Sequence, residues 1–195
     1  MPTNPCDLPL VAPENDPCAA NQYVLGAQIT SAIMQDPAAT TFPDLTSSSA
    51  TMAAITPFMT AVDNTKTTIL KNLAGAKVPA AKDTTLSGND VTFGGTRITN
   101  RERTITARLD FITPAMIAQV NAANGRQKPV RLWLVDDKGV SQGPCENATV
   151  QYGSLIRDGI NGGPTHVEVT ITYNSIDEPQ LGAKPLPGLN FLVNA

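Results

Sequence analysis

Two stretches of strict alternation constrain this chain more than anything else in it. From Thr104 to Ile112, Ile105, Ala107, Leu109 and Phe111 fall on one side of an extended backbone, and Thr104, Thr106, Arg108 and Asp110 on the other. From Val167 to Tyr173 the same holds, with Val167, Val169, Ile171 and Tyr173 set against Glu168, Thr170 and Thr172. Successive strand side chains point to opposite faces, so a period of two marks sheet with one face in a core and one in water. Antiparallel sheet gives that pattern. Between the two stretches, Thr113 and Pro114 mark a helix start, Met116, Ile117 and Val120 its apolar stripe, and Gly125 its stop. A strand over Pro129–Asp136 and a turn at Asp136-Asp-Lys-Gly follow. A further strand is expected over 147–157, with Gly153 as a bulge. The expected fold is mainly β: an antiparallel β-sandwich or barrel with one short flanking α-helix and extended arms.

The first half is less regular. Five prolines (Pro2, Pro5, Pro9, Pro13 and Pro17) forbid helix or central strand there. Residues 1–22 therefore read as an extended arm. Tyr23 to Ile33 suits a first strand, with Gly26 a bulge or bend. Residues 37–89 read as a long, partly helical insertion in a sandwich domain spanning 23–178. Within it, 50–73 is expected to be loop with one or two short helices, because Met52, Ile55, Phe58, Met59 and Val62 recur at helical spacing around an awkward Pro57. Residues 179–195 form a C-terminal tail with an apolar end, Leu189-Asn-Phe-Leu-Val, which is costly to leave in water and should dock on this chain or a neighbour.

Charged residues are 16% of the 195, against roughly a quarter in ordinary globular proteins. Small neutral polar groups fill the gap, and such surfaces are cheap to desolvate in protein contacts. The few charges are segregated. No Lys or Arg precedes Lys66, while Asp7, Glu14, Asp16, Asp36, Asp44 and Asp63 give that stretch a net charge of −6. The rest carries 14 basic against 11 acidic residues, a net of +3. The overall −3 argues against general nucleic-acid binding. Cys6, Cys18 and Cys145 form neither a disulfide framework nor a zinc pattern. Reduced thiols are the default, and a Cys6–Cys18 bridge stays open. The sequence shows no secretory signal at its start and no apolar run long enough to span a membrane.

Catalytic chemistry finds no constellation. A triad would need His166, the sole histidine, which reads as a surface or strand-edge imidazole beginning a strand. Asp136-Asp137 is the one adjacent carboxylate pair, and its Asp-Asp-Lys-Gly setting is turn chemistry. Gly94-Gly95 belongs to no phosphate-loop spacing. No catalytic, metal or cofactor site is expected, and the chain does not read as an enzyme. The basic cluster Arg97, Arg101, Arg103 and Arg108 alternates with threonines and is expected on one polar face, where pairing with acids of a neighbouring subunit outweighs nucleic acid.

The strand Thr104-Ile-Thr-Ala-Arg-Leu-Asp-Phe-Ile-Thr, the helix at 114–124 and the strand His166-Val-Glu-Val-Thr-Ile-Thr-Tyr, behind a proline-rich arm, resemble the tail tube proteins of tailed bacteriophages. The resemblance covers about half the chain. It implies a virion protein assembled in the host cytoplasm, whose copies stack as rings around a lumen. DNA would pass through only as non-specific cargo, other virion proteins would be partners, and no membrane would be involved. Subunit contacts are expected at Arg97, Arg101 and Arg103, in the arm, and at Leu189 and Phe191 of the tail. A capsid-decorating or head–tail joining protein is the alternative. A carbohydrate- or surface-binding module is a third reading, and would need Trp133, Tyr152 or Tyr173 exposed as a platform.

Overall fold

The computed structural model describes residues 26, 28–39, 42–60, 67–76, 78–87, 96–110, 112–123, 128–157 and 165–189. The arm at 1–22, Phe111, the Gly125 helix stop, Gly94-Gly95 and Phe191 lie outside them. Eight antiparallel strands dominate: β1 (Ile29–Gln35), β2 (Thr67–Leu70), β3 (Leu73–Ala74), β4 (Lys82–Ser87), β5 (Thr96–Leu109), β6 (Val130–Asp136), β7 (Ser141–Ile156) and β8 (His166–Asn174). Helices α1 (Met52–Thr60) and α2 (Pro114–Ala123) complete the elements, with one 3-10 turn at Pro187–Leu189. The mainly β, antiparallel expectation holds. No helix among the described residues is long and apolar enough to cross a membrane.

The strands run in the order β2-β1-β6-β7-β8-β5-β3, with β4 on β5 beside β3. Ala76, two residues past β3, accepts the Ile29 N–H at 3.0 Å, which closes the sheet into a barrel. The long β7 serves both walls. Its first half pairs with β6 and its second with β8. It leaves the regular strand conformation at Gly143, φ 146°, where a Cβ would stand 2.7 Å from the Leu132 carbonyl oxygen. Only glycine fits there.

The alternating strands behave as expected. Ile105, Ala107 and Leu109 of β5 and Val169, Ile171 and Tyr173 of β8 point into the barrel, where they meet Ala32, Met34, Leu132, Leu134, Cys145 and Ala148. Thr104, Thr106, Arg108 and Glu168 face water. By contrast, all seven β1 residues are buried, as are the last five of β6. Both strands are covered on both faces, so the buried residues include Thr30, Ser31 and Gln35 as well as the apolar ones. On the outside, Ile33, Trp133 and Val135 meet Phe42, Leu45, Ala50, Ile55, Leu186 and Leu189. This second core holds α1 against the barrel despite Pro57 within the helix. The Thr56 hydroxyl bonds the Met52 carbonyl at 2.7 Å.

The described part of the first strand is Ile29–Gln35, and Tyr23 to Leu25 lie outside the described residues. Two expectations change. Thr67–Leu70 is strand β2 where loop or helix is expected, and β3 and β4 also lie within the supposed insertion at 37–89. The histidine His166 is buried, not a surface group. The α2 reading stands at its start, where the Met116 N–H bonds Thr113 Oγ1 at 3.2 Å.

Burial also sets thiol chemistry. Desolvation inside the barrel pushes the Cys145 thiol up to about 12 from 9.0, against a smaller opposing pull from Arg103. Cys145 is expected to resist a maleimide at pH 8 in the folded protein and to react once unfolded, read by peptide mass spectrometry. The folded state keeps this proton where the unfolded chain releases it. Stability is therefore retained below pH 9 and lost as pH rises from 9 towards 12.

Candidate assembly surface

Past the end of β8, where the Ser175 N–H still bonds the Arg101 carbonyl at 2.9 Å, β5 runs on with β4 as its strand neighbour among the described residues. The β8 pairing of β5 stops at Glu102↔Asn174, whereas β4 pairs from Lys82↔Glu102 to Ser87↔Thr96. Residues 82–87 and 96–101 therefore form a two-stranded ribbon. All six β4 residues are exposed, and β4 has no second strand neighbour among the described residues. Isolated two-stranded ribbons are marginal in water, and open edges invite another chain.

A break in register governs which side chains the ribbon presents. The pairing Thr84↔Asn100 is followed by Thr85↔Ile98, so Thr99 is an extra residue on β5. Opposed residues share a face, and an extra residue reverses the parity. Arg97 thus lies with Leu86, Thr84 and Lys82 on one face. Arg101 lies with Asp83, Thr85 and Ile98 on the other. Arg101 Nε stands 3.1 Å from Asp83 Oδ1. On the first face Arg97 and Lys82 are exposed and flank Leu86, itself 43% exposed.

The expected common polar face therefore does not exist. Arg103 departs furthest from it. The residue shares the parity of Ile105, so it points into the barrel and is only 3% exposed. Its Nη2 pairs with Glu178 Oε1. Its guanidinium carbon lies 5.9 Å from the Tyr173 ring centroid. Arg103 is thus held within its own chain and not offered to a neighbour. Its burial follows from β5 parity, a signal that the alternation of Ile105, Ala107 and Leu109 already carried.

Leu189 is likewise internal. After β8 the chain crosses back over β7. The Gly143 N–H bonds the Gln180 carbonyl at 2.8 Å, and the Gly182 N–H bonds the Ser141 carbonyl at 2.8 Å. This strap ends in the second core, where Leu189 is fully buried and its carbonyl accepts from Ser31 Oγ at 3.3 Å. Docking of this apolar residue is on the chain itself, not on a partner.

Other candidate sites resolve into structure. Asp136 Oδ1 accepts the Lys138 and Val140 N–H groups at 2.9 and 2.8 Å, and Oδ2 accepts that of Gly26 at 2.6 Å. This carboxylate organises the β6–β7 turn. Trp133 and Tyr173 are buried and Tyr152 packs against the barrel core, which removes the aromatic platform needed for a glycan surface. A cleft of about 700 Å³ beside α2 is lined by Ile112, Pro114, Ile117 and Leu155, with Asp110 and Arg157. No three His, Cys, Asp or Glu side chains gather to hold a metal among the described residues.

No protein-family model and no curated protein matches the chain. Two solved structures are similar to part of it. One, described as the virion of a native gene transfer agent particle, shares 9% identity at a TM-score of 0.34, over 58% of this chain and 88% of that one. The other, described as the tail of an empty gene transfer agent particle with C6 symmetry, shares 11% identity at a TM-score of 0.34, over 60% of this chain and 85% of that one.

Proposed function

We propose that this chain is a virion structural protein, a tail tube subunit that assembles with its own copies into stacked rings enclosing a DNA conduit. The observation that carries the reading is the β4–β5 ribbon. It extends from the barrel with every β4 residue exposed and, among the described residues, no strand on the outer edge of β4. A folded chain that projects such an edge is suited to strand-mediated contact with another chain. The likeness of its strand–helix–strand order to tail tube proteins gives that contact its setting. The polar outer face of β5 and β8 supports the conduit. Thr104, Thr106, Thr170 and Thr172 lie there beside Arg108 and Glu168. Hydroxyls with balanced charges give a polyanion nothing to bind tightly.

The test is negative-stain electron microscopy of the purified full chain over a wide concentration range. Rings or tubes with an open centre are expected. Uniform monomers at every concentration and salt would overturn self-assembly, and binding of those monomers to preformed capsids would mark a decorating protein.

A further inference from the structure

Two buried polar groups on facing strands are left over by the contacts described above. Arg103 is 3% exposed and Tyr173 is fully buried. They are register partners across β5 and β8, so their side chains share the inner face. Arg103 Nη2 is taken by Glu178. Arg103 Nη1 and the Tyr173 hydroxyl each lack a hydrogen-bond partner among the described residues. The guanidinium carbon stands 5.9 Å from the Tyr173 ring centroid, beyond the about 3.5–4.0 Å of direct contact. Burying polar groups unpaired costs stability, and folded proteins leave few of them so. We infer that this end of the barrel binds internal water, which accepts from Arg103 Nη1 and hydrogen-bonds the Tyr173 hydroxyl.

The chemistry of the site selects water over an ion. A guanidinium only donates, whereas a phenol donates or accepts, so the occupant must accept from the first and can do either with the second. A small anion also accepts, but the positive charge of Arg103 is already matched by Glu178. The titratable groups beside it add none. Burial pushes both the Tyr173 phenol and the Cys145 thiol up, the thiol to about 12, so both keep their protons. An anion would enter a dry site with no net charge to receive it. Water needs only a few polar partners. Glu178 is 67% exposed, so its carboxylate leads from bulk solvent to the buried guanidinium. The water completes a polar link from the strap at Glu178, through Arg103 of β5, to Tyr173 of β8. It belongs to the single folded chain and stands whether or not copies assemble.

The experiment is a high-resolution crystal structure of the full chain grown in bromide. A water-sized density peak within hydrogen-bond reach of Arg103 Nη1 and the Tyr173 hydroxyl is expected, without anomalous signal. An anomalous bromide peak there would make the site an anion site and overturn the inference. So would finding both groups bonded to other protein atoms. In solution, oxygen-17 magnetic relaxation dispersion counts long-lived internal waters. Arg103→Met is expected to lose at least one of them relative to the parent. Arg108→Met, changed at a half-exposed arginine on the outer face, is expected to lose none. Equal counts in the parent and Arg103→Met would count against the site. Tyr173→Phe removes only the hydroxyl and serves in place of Arg103→Met should that chain fail to fold, with the same loss expected.

Discussion

Glu178→Ala is expected to lower the unfolding free energy by about 3 kcal/mol, although the side chain is 67% exposed. The asymmetry of its ion pair is the reason. Its partner Arg103 is 3% exposed, and Arg103 Nη1 already lacks a hydrogen-bond partner. Removing the carboxylate strands a guanidinium in the barrel beside the Tyr173 ring. The opposite deletion behaves differently. Arg103→Met keeps an apolar stem among apolar neighbours and leaves Glu178 in water, so its effect should stay under about 1 kcal/mol. The double variant should resemble Arg103→Met alone. Urea denaturation of the three chains measures this. Glu178→Ala within about 0.5 kcal/mol of the parent would show that the guanidinium finds water or another partner without it.

The barrel strands were legible because each carries a face that must be buried. The parity of Ile105, Ala107 and Leu109 against Thr104, Thr106 and Arg108 leaves one arrangement open, and β5 adopts it. The strands the sequence concealed lack that mark. All of Lys82-Asp-Thr-Thr-Leu-Ser is exposed, so no alternation distinguishes β4 from loop. The β3 strand is two residues long and exists only through its pairing with Leu109 and Arg108. Such elements are specified by a neighbouring strand and have no local pattern of their own.

The surface was legible in composition and not in geometry. Sequence alone identified Arg97, Arg101 and Arg103 as a cluster. The extra residue Thr99, which puts Arg97 and Arg101 on opposite faces, has no signature in a run of polar residues. The covering of the β1–β6 wall was half visible. Leu-Trp-Leu-Val in β6 announces burial on both faces, but the parts that cover it come from residues 42–58 and 186–189. Contacts across such separations are set by tertiary packing.

That outer cover yields the second large effect. Trp133→Ala should cost about 3 to 5 kcal/mol, a large share of the roughly 5–15 kcal/mol that holds a domain together. The indole is 4% exposed and lies 4.7 Å from the Phe42 ring, which in turn meets Phe58 of α1 at 5.3 Å. Its removal opens a cavity where three otherwise separate segments meet: the loop before α1, α1 itself and the C-terminal strap. Hydrogen bonds also tie the strap down, among them Lys184 Nζ to the Ser48 carbonyl at 3.0 Å. The Ala183 N–H bonds the Leu45 carbonyl, and the Leu186 N–H that of Gly139. Hydrogen exchange should therefore show Ala183 and Leu186 losing protection first, while Ile105 and Ile171, paired across β5 and β8, keep theirs. Equal loss everywhere would mean that barrel and cover unfold as one unit, and a change below about 1 kcal/mol would mean that the loop closes over the gap. If the barrel keeps its protection, the strap and α1 are fittings on a barrel that folds without them, and the ribbon should keep its geometry when they are loosened. If protection is lost equally everywhere, the ribbon depends on the cover as well, and substitutions at the second core should also weaken association between copies.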